Sequence, residues 1–228
     1  MIEAFHIGAV SRDSKLLEGL DLSFDEGEVC VVTGPAGAGK TLLLRILRGE
    51  RRPDEGDVVV GGDSLYRGSS PVVAAFRASL GVVPEAFPTM TCSTVRDLFL
   101  LSGTAGERVP AGEREERQEK LLSMMGLPGA HDWRLSSLSL TERARVALAA
   151  ELFRGPRYLF LDGLVANAGV EWTEMLGGLF KALAREGKTV LLAERTFPER
   201  WKSGDSEEGI AKGPFRLFRL AVSGGVSR

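Results

Sequence analysis

Cysteine is nearly missing from this chain: Cys30 and Cys92 are the only two in 228 residues. Two thiols cannot build the bridge framework of a small secreted domain, and their spacing fits no metal motif. Histidine is as scarce, and the isolated His6 and His131 suggest neither a metal cluster nor a catalytic triad. No stretch approaches the roughly eighteen apolar residues of a membrane-spanning helix. An excess of one charge is missing too: 29 Lys and Arg face 31 Asp and Glu, for a formal net charge of -2. That balance excludes bulk charge as a basis for nucleic-acid binding, and nucleic acid is not an expected partner. The start, Met-Ile-Glu-Ala-Phe-His, lacks the basic and apolar regions of a secretory leader, so a reduced, cytoplasmic protein is expected.

Hydrophobic residues make up 43% of the chain and glycine supplies 28 positions, above the usual level of roughly 7%. Such a composition suits one globular domain of alternating strands, turns and helices. Strands are expected at 2–7, 20–24, 58–60, 80–83 and 215–222, with a turn at 12–15. The unbroken apolar runs at 29–33, 157–161 and 189–193 fit parallel strands covered on both faces. Helices are expected at 41–47, 71–79, 94–101, 113–125, 141–153 (with Thr141 as its cap) and 171–185. The charged segment 198–214 reads as surface.

The sharpest signal is Gly34-Pro35-Ala36-Gly37-Ala38-Gly39-Lys40-Thr41, a complete G-x-x-x-x-G-K-[ST] pattern between a buried strand and a helix. Glycines let backbone N–H groups turn inward around phosphate oxygens, and the helix start adds its dipole. Lys40 is expected on the β and γ phosphates and Thr41 on magnesium. Pro35 has no N–H and donates nothing. A second element, Arg157-Tyr158-Leu159-Phe160-Leu161-Asp162-Gly163, is an apolar strand ending in an acid, and Asp162 is expected as another magnesium contact.

With these motifs the chain resembles the nucleotide-binding subunits of ABC transporters, and in length and motif order the short cell-division and lipoprotein-release cassettes. The likeness extends to Leu42-Leu43-Leu44-Arg45-Ile46-Leu47, to Pro53 through Gly62, and to Gly81-Val82-Val83-Pro84-Glu85 at the family's glutamine loop. It continues through Leu138-Ser139-Leu140-Thr141-Glu142 at the signature and Thr189 through Arg195 at the switch-histidine strand. It implies an α/β P-loop NTPase core with a mixed sheet and a helical lobe, one cassette over 1–228 with the lobe near 86–153. ATP and Mg2+ are the implied cofactors. A membrane-spanning subunit is the implied partner, beside a second cassette or a homodimer, at the inner face of the cell membrane.

The same likeness exposes departures where the chemistry would occur. The family's catalytic Glu after the strand acid is Gly163, which has no base to offer. The switch His is Arg195, whose guanidinium keeps its proton at neutral pH but can contact phosphate. The glutamine is Glu85, an anion near polyphosphate that either helps magnesium or repels nucleotide. Two signature glycines are Leu140 and Thr141, although Ser139 remains to cap the helix or meet a phosphate. Val10 to Lys15 holds no aromatic residue to stack on adenine. ATP binding with weak or absent hydrolysis is therefore expected. The alternatives are a structural or regulatory module independent of nucleotide, and an active ATPase using displaced groups such as Asn167, Glu171 or Glu194.

Cys30 reads as strand packing, Cys92 as no nucleophile, and 113–120 as a solvated helix face. Trp133, Trp172 and Trp201 read as packing or interface. The apolar set Phe87, Met90, Val95, Leu98, Phe99 and Leu100 fits either lobe packing or reception of a partner helix, and burial of Phe99 separates these.

Overall fold

The fold was taken from a computed structural model that describes all residues except 12–13, 69, 86–92, 104–109, 166–168, 202–214, 222–225 and 228. Cys92, Phe87, Met90, Asn167 and most of the 198–214 segment lie outside the described residues. The chain divides into two compact units, one of Met1–Leu80 with Arg157–Arg228, the other of Gly81–Pro156.

The first unit holds two sheets. One is antiparallel, in the order β2 (Ser14–Phe24), β1 (Ile2–Ser11), β4 (Glu55–Val60), β5 (Asp63–Ser64). In the other, β3 (Val29–Thr33) lies parallel between β8 (Thr189–Glu194) and β9 (Phe215–Leu220). Strand β7 (Tyr158–Asp162) pairs parallel with β8, and β10 (Val226–Ser227) antiparallel with β9. Every residue of β3, β7 and β8 is buried, as their unbroken apolar runs require. Helix α1 (Lys40–Leu47) packs on β7 and β8, and α6 (Val170–Arg185) on β3 and β8. Helix α2 (Pro71–Ala78) starts at Ser70, whose hydroxyl accepts from Val73 N at 3.1 Å, with Pro71 in the first helical turn.

Strands β1 and β2 run well past the expected 2–7 and 20–24. Their register slips between Ile7↔Leu20 and Ala9↔Leu17, a bulge in β2 that breaks the alternation just before the 20–24 span. Of the turn expected at 12–15, Ser14 and Lys15 are strand, since β2 already begins at Ser14, and 12–13 lie outside the described residues. Strand β4 likewise begins at Glu55, inside what reads as a polar turn.

The second unit contains β6 (Leu80–Val83, whose first residue belongs to the first unit), α3 (Val95–Gly103), α4 (Arg114–Met124) and α5 (Leu140–Arg154). Phe99 is fully buried, edge-on to Phe153 at 5.5 Å between ring centroids, so this part of the apolar set is lobe packing. Leu100 and Leu101 of the same helix remain exposed. The charged run of α4 is solvated, apart from the buried Gln118. Helix α5 corrects the expected cap. Its N-cap is Ser139, whose hydroxyl accepts from Glu142 N while the Glu142 carboxylate accepts from Ser139 N, a reciprocal box with no such role for Thr141. No helix among the described residues is long and apolar enough to cross a membrane.

Candidate functional site

Parallel pairing sets three loops along one edge of the sheet. Thr33 lies opposite Glu194, and Ala193 opposite Asp162, so β3, β8 and β7 end together. Beyond those ends come the Gly34–Thr41 loop, Arg195 and Gly163. In parallel α/β sheets this carboxyl edge is where ligands bind.

The loop depends on residues without side chains. Gly37 and Gly39 have φ values of 82° and 88°, in the left-handed region. A Cβ at Gly39 would stand 2.9 Å from Leu17 Cδ2 and 3.4 Å from Leu16 Cβ, whereas one at Gly37 would meet nothing within 4 Å. Gly39 is also the N-cap of α1, without a side-chain hydrogen bond, so the helix start keeps amides directed at the loop. Ala38 N donates to Pro35 O at 3.2 Å, closing the turn from inside. Ala36 and Thr41 are exposed, as a ligand cradle requires. The Lys40 ammonium donates to Gly34 O at 2.7 Å and to Pro35 O at 2.8 Å, so it also ties the loop to the helix it precedes.

Asp162 ends β7 with only 8% of its surface exposed. Gly163 follows at φ 65° and donates its N–H to Ala193 O at 2.9 Å. The residue after the acid thus occupies a conformation that costs an ordinary L side chain about 1–2 kcal/mol. Its glycine is demanded by backbone geometry as well as lacking a base.

Glu194 is 3% exposed and accepts from Val165 N at 2.6 Å, holding the loop after β7 against the end of β8. Glu171 is exposed in the first turn of α6. Arg195 is exposed and lines an open cleft of about 400 Å³ together with Val165, Thr173, Glu194 and Glu199. Behind this cleft, Trp201 stacks on Phe215 with ring centroids 5.0 Å apart and donates Nε1 to Thr173 O at 2.7 Å. Trp172 and Trp201 are therefore packing residues, while Trp133 is exposed. Cys30 is fully buried in β3, and burial raises its thiol well above the usual range. It is packing, as its strand position indicates.

Glu85 and Ser139 belong to the second unit. Glu85 is exposed just past β6. The Ser139 hydroxyl donates to Glu142 Oε2 at 2.7 Å, and this bond heads the causes that hold the Glu142 carboxyl below its ordinary range. Leu140 is 76% exposed at the tip of that helix.

Among the described residues, no cluster of three or more His, Cys, Asp or Glu is placed to hold a metal by itself. The donors available, one hydroxyl at Thr41 and one carboxylate at Asp162, fit magnesium, which takes one or two carboxylates and completes its shell with phosphate and water. Sequence pattern alone does not single out Leu16 and Leu17, which abut Gly39, or Arg219, which enters this edge through the register of β9 with β3.

Residues 17–166 match the ABC transporter family model. The methionine import ATP-binding protein MetN of Halalkalibacterium halodurans is 35% identical over 77% of this chain and 52% of its own length. The macrolide export ATP-binding/permease protein MacB 1 of Aeromonas hydrophila is 31% identical over 82% of this chain and 29% of its own length. This chain spans about half the length of the methionine import proteins it matches. A solved dimeric ATP-binding cassette in a post-hydrolysis state, bound to ADP and Pi, superposes with a TM-score of 0.80 at 22% identity, covering 100% of this chain and 97% of that one. With the family matched over the phosphate loop, the signature region and the acidic strand, the chain belongs to the ABC transporter family.

Proposed function

We propose that this chain binds ATP with magnesium in an ABC-type membrane complex and hydrolyses it weakly or not at all. The carrying observation is a complete phosphate loop at the same sheet edge as Gly163, held at φ 65° directly after Asp162. Amides of Gly34, Ala36, Gly37, Gly39 and the α1 start bind phosphate oxygens, and Ala38 joins them if its bond to Pro35 opens. Lys40 supplies the cation. Thr41 and Asp162 would hold magnesium, which would neutralise phosphate charge, and Glu85 stands at the family's glutamine-loop position. Arg195 contacts the terminal phosphate, and Ser139 offers a contact to nucleotide on a facing cassette. Gly163 can accept no proton from water, and loss of a general base costs about 10²- to 10⁴-fold in rate.

We assign 1–228 to one cassette whose lobe spans about 86–153, of the short cell-division and lipoprotein-release kind by length and motif order. Its partners are a membrane-spanning subunit and a second cassette or homodimer partner, at the cytoplasmic face of the cell membrane. The import and export roles printed for its relatives support transport as the setting.

Steady-state phosphate release by the purified protein, with Lys40→Ala as the contamination control, tests the hydrolysis assignment. Background-level release with measurable ATP binding is expected. Robust release that disappears in Lys40→Ala would defeat it. One observation favours a nucleotide-independent module instead: the Lys40 ammonium already serves the loop's own carbonyls. Absence of ATP affinity in calorimetry would select that alternative.

A further inference from the structure

We propose that Trp201 is a positioning residue, holding the segment after β8 so that Arg195 stays at the phosphate-loop edge of the sheet. The inference deepens the assignment of Arg195 to the terminal phosphate and rests on it. The ladder of β8 with β3 ends at Thr33↔Glu194, so strand pairing no longer fixes the chain at Arg195. Arg195 nevertheless lines an open cleft of about 390 Å³ with Gly34 and Pro35, where β3 becomes the phosphate loop. Phe197, two residues on, lines the same cleft and is buried.

The support behind Phe197 is aromatic. Its ring meets Trp201 and Phe215 edge-on, at centroid distances of 6.2 and 6.1 Å. The Trp201 indole is itself held from three directions. It lies on Phe215 of β9, 5.0 Å between centroids and 9° from parallel. Phe180 of α6 meets it edge-on at 5.7 Å. Its Nε1 donates to Thr173 O at 2.7 Å, the acceptor that a buried indole requires, and this bond fixes the rotation of the ring. Gly177 leaves the space for it, since a Cβ there would fall 2.5 Å from Nε1. Thr173 lines the second cleft that Arg195 borders, the one of about 400 Å³. Trp201 therefore joins α6, which walls one of these clefts, to β9, which walls the other. A guanidinium whose backbone strays from its place loses phosphate affinity in proportion to the time spent away.

Calorimetry with Mg-ATP and Mg-ADP tests this on the unmodified protein, Trp201→Leu, Trp201→Phe, Arg195→Gln and the Arg195→Gln/Trp201→Leu double variant. If loosening leaves Arg195 in place about a tenth of the time, ATP weakens roughly tenfold, while ADP, lacking the terminal phosphate, stays within about twofold. With Arg195→Gln present, Trp201→Leu adds less than about twofold, because its effect passes through the missing guanidinium. Trp201→Phe keeps a ring on Phe215 and recovers most of the ATP affinity. Equal losses for ATP and ADP, or an ATP loss as large without Arg195, would overturn the proposal. Where Trp201→Leu does not fold, Gly177→Ala, which displaces the indole without removing it, carries the same comparisons. Failure of the nucleotide assignment reads differently: the unmodified protein binds neither nucleotide, or Arg195→Gln leaves ATP affinity unchanged. Hydrogen exchange of residues 195–198 then decides. Faster exchange there in the Trp201 or Gly177 variant, with α1 unchanged, sustains the positioning role. Exchange unchanged there, or raised equally in α1, removes it.

Discussion

Two glycines two residues apart in the same loop, Gly37 and Gly39, should respond differently to the same substitution. Gly37→Ala places its methyl in open space and carries only the left-handed backbone cost, about 1–2 kcal/mol. Gly39→Ala adds a clash with Leu17, which is fully buried, so its cost should reach about 2–4 kcal/mol. Chemical denaturation of the two variants checks this, and equal midpoints would show that Leu17 is free to move. Gly163→Glu presents the same backbone problem with a chemical aim. It restores a carboxylate in a left-handed position at a cost of about 1–2 kcal/mol. It should recover little phosphate release, because Arg195 and the Leu140-Thr141 side chains are unchanged. Full activity from that single substitution would make the missing base the whole defect.

At the scale of elements, the capping of α5 is the most testable feature. Ser139→Ala removes the box and should cost about 1 kcal/mol near neutral pH. The Ser139 bonds hold the folded Glu142 carboxyl below its ordinary value, so their contribution is complete above that value. As pH falls, the unfolded chain takes up its proton first, and the contribution fades as pH passes through the lowered folded value. The gap in melting temperature between Ser139→Ala and the unmodified protein should therefore shrink in acid. A gap constant from pH 7 to about pH 3 would detach the effect from Glu142. A second element-level test lies on α6. A Cβ at Gly177 would fall 2.5 Å from Trp201 Nε1, so Gly177→Ala should displace the indole and destabilise by about 1–3 kcal/mol. Because Trp201 anchors the segment after Arg195, nucleotide or phosphate affinity should fall as well. Unchanged tryptophan fluorescence in this variant would refute the displacement.

For the whole molecule, the proposed signature match sets the exposed Leu140 and its neighbour Thr141 at positions the family fills with glycines, which should hinder a closed homodimer. Light scattering with Mg-ATP should show a monomer, or a dimer indifferent to nucleotide. A tight ATP-dependent dimer would contradict this. Much of the molecule was legible beforehand. The phosphate loop, the three buried strands and the helices α1, α2 and α6 follow from local pattern, because burial on both faces and phosphate binding each demand particular residue types at fixed spacing. Less legible were the ends of β1, β2 and β4, where a bulge and polar strand residues break the period, and the cap of α5, where two adjacent hydroxyl residues competed until Glu142 reached back to Ser139.

By itself the sequence determined the family, the phosphate loop and the absence of a side chain at Gly163, since these are matters of residue identity and order. Only the tertiary structure decided that Gly163 is held left-handed, that Glu194 accepts from Val165 N, and that Arg219 lines a cleft with Arg195. The physical reason is sequence separation. Strand pairing sets Thr33, Glu194 and Arg219 in one row across about 190 residues of chain, and no local spacing records a register that exists only once the sheet has formed.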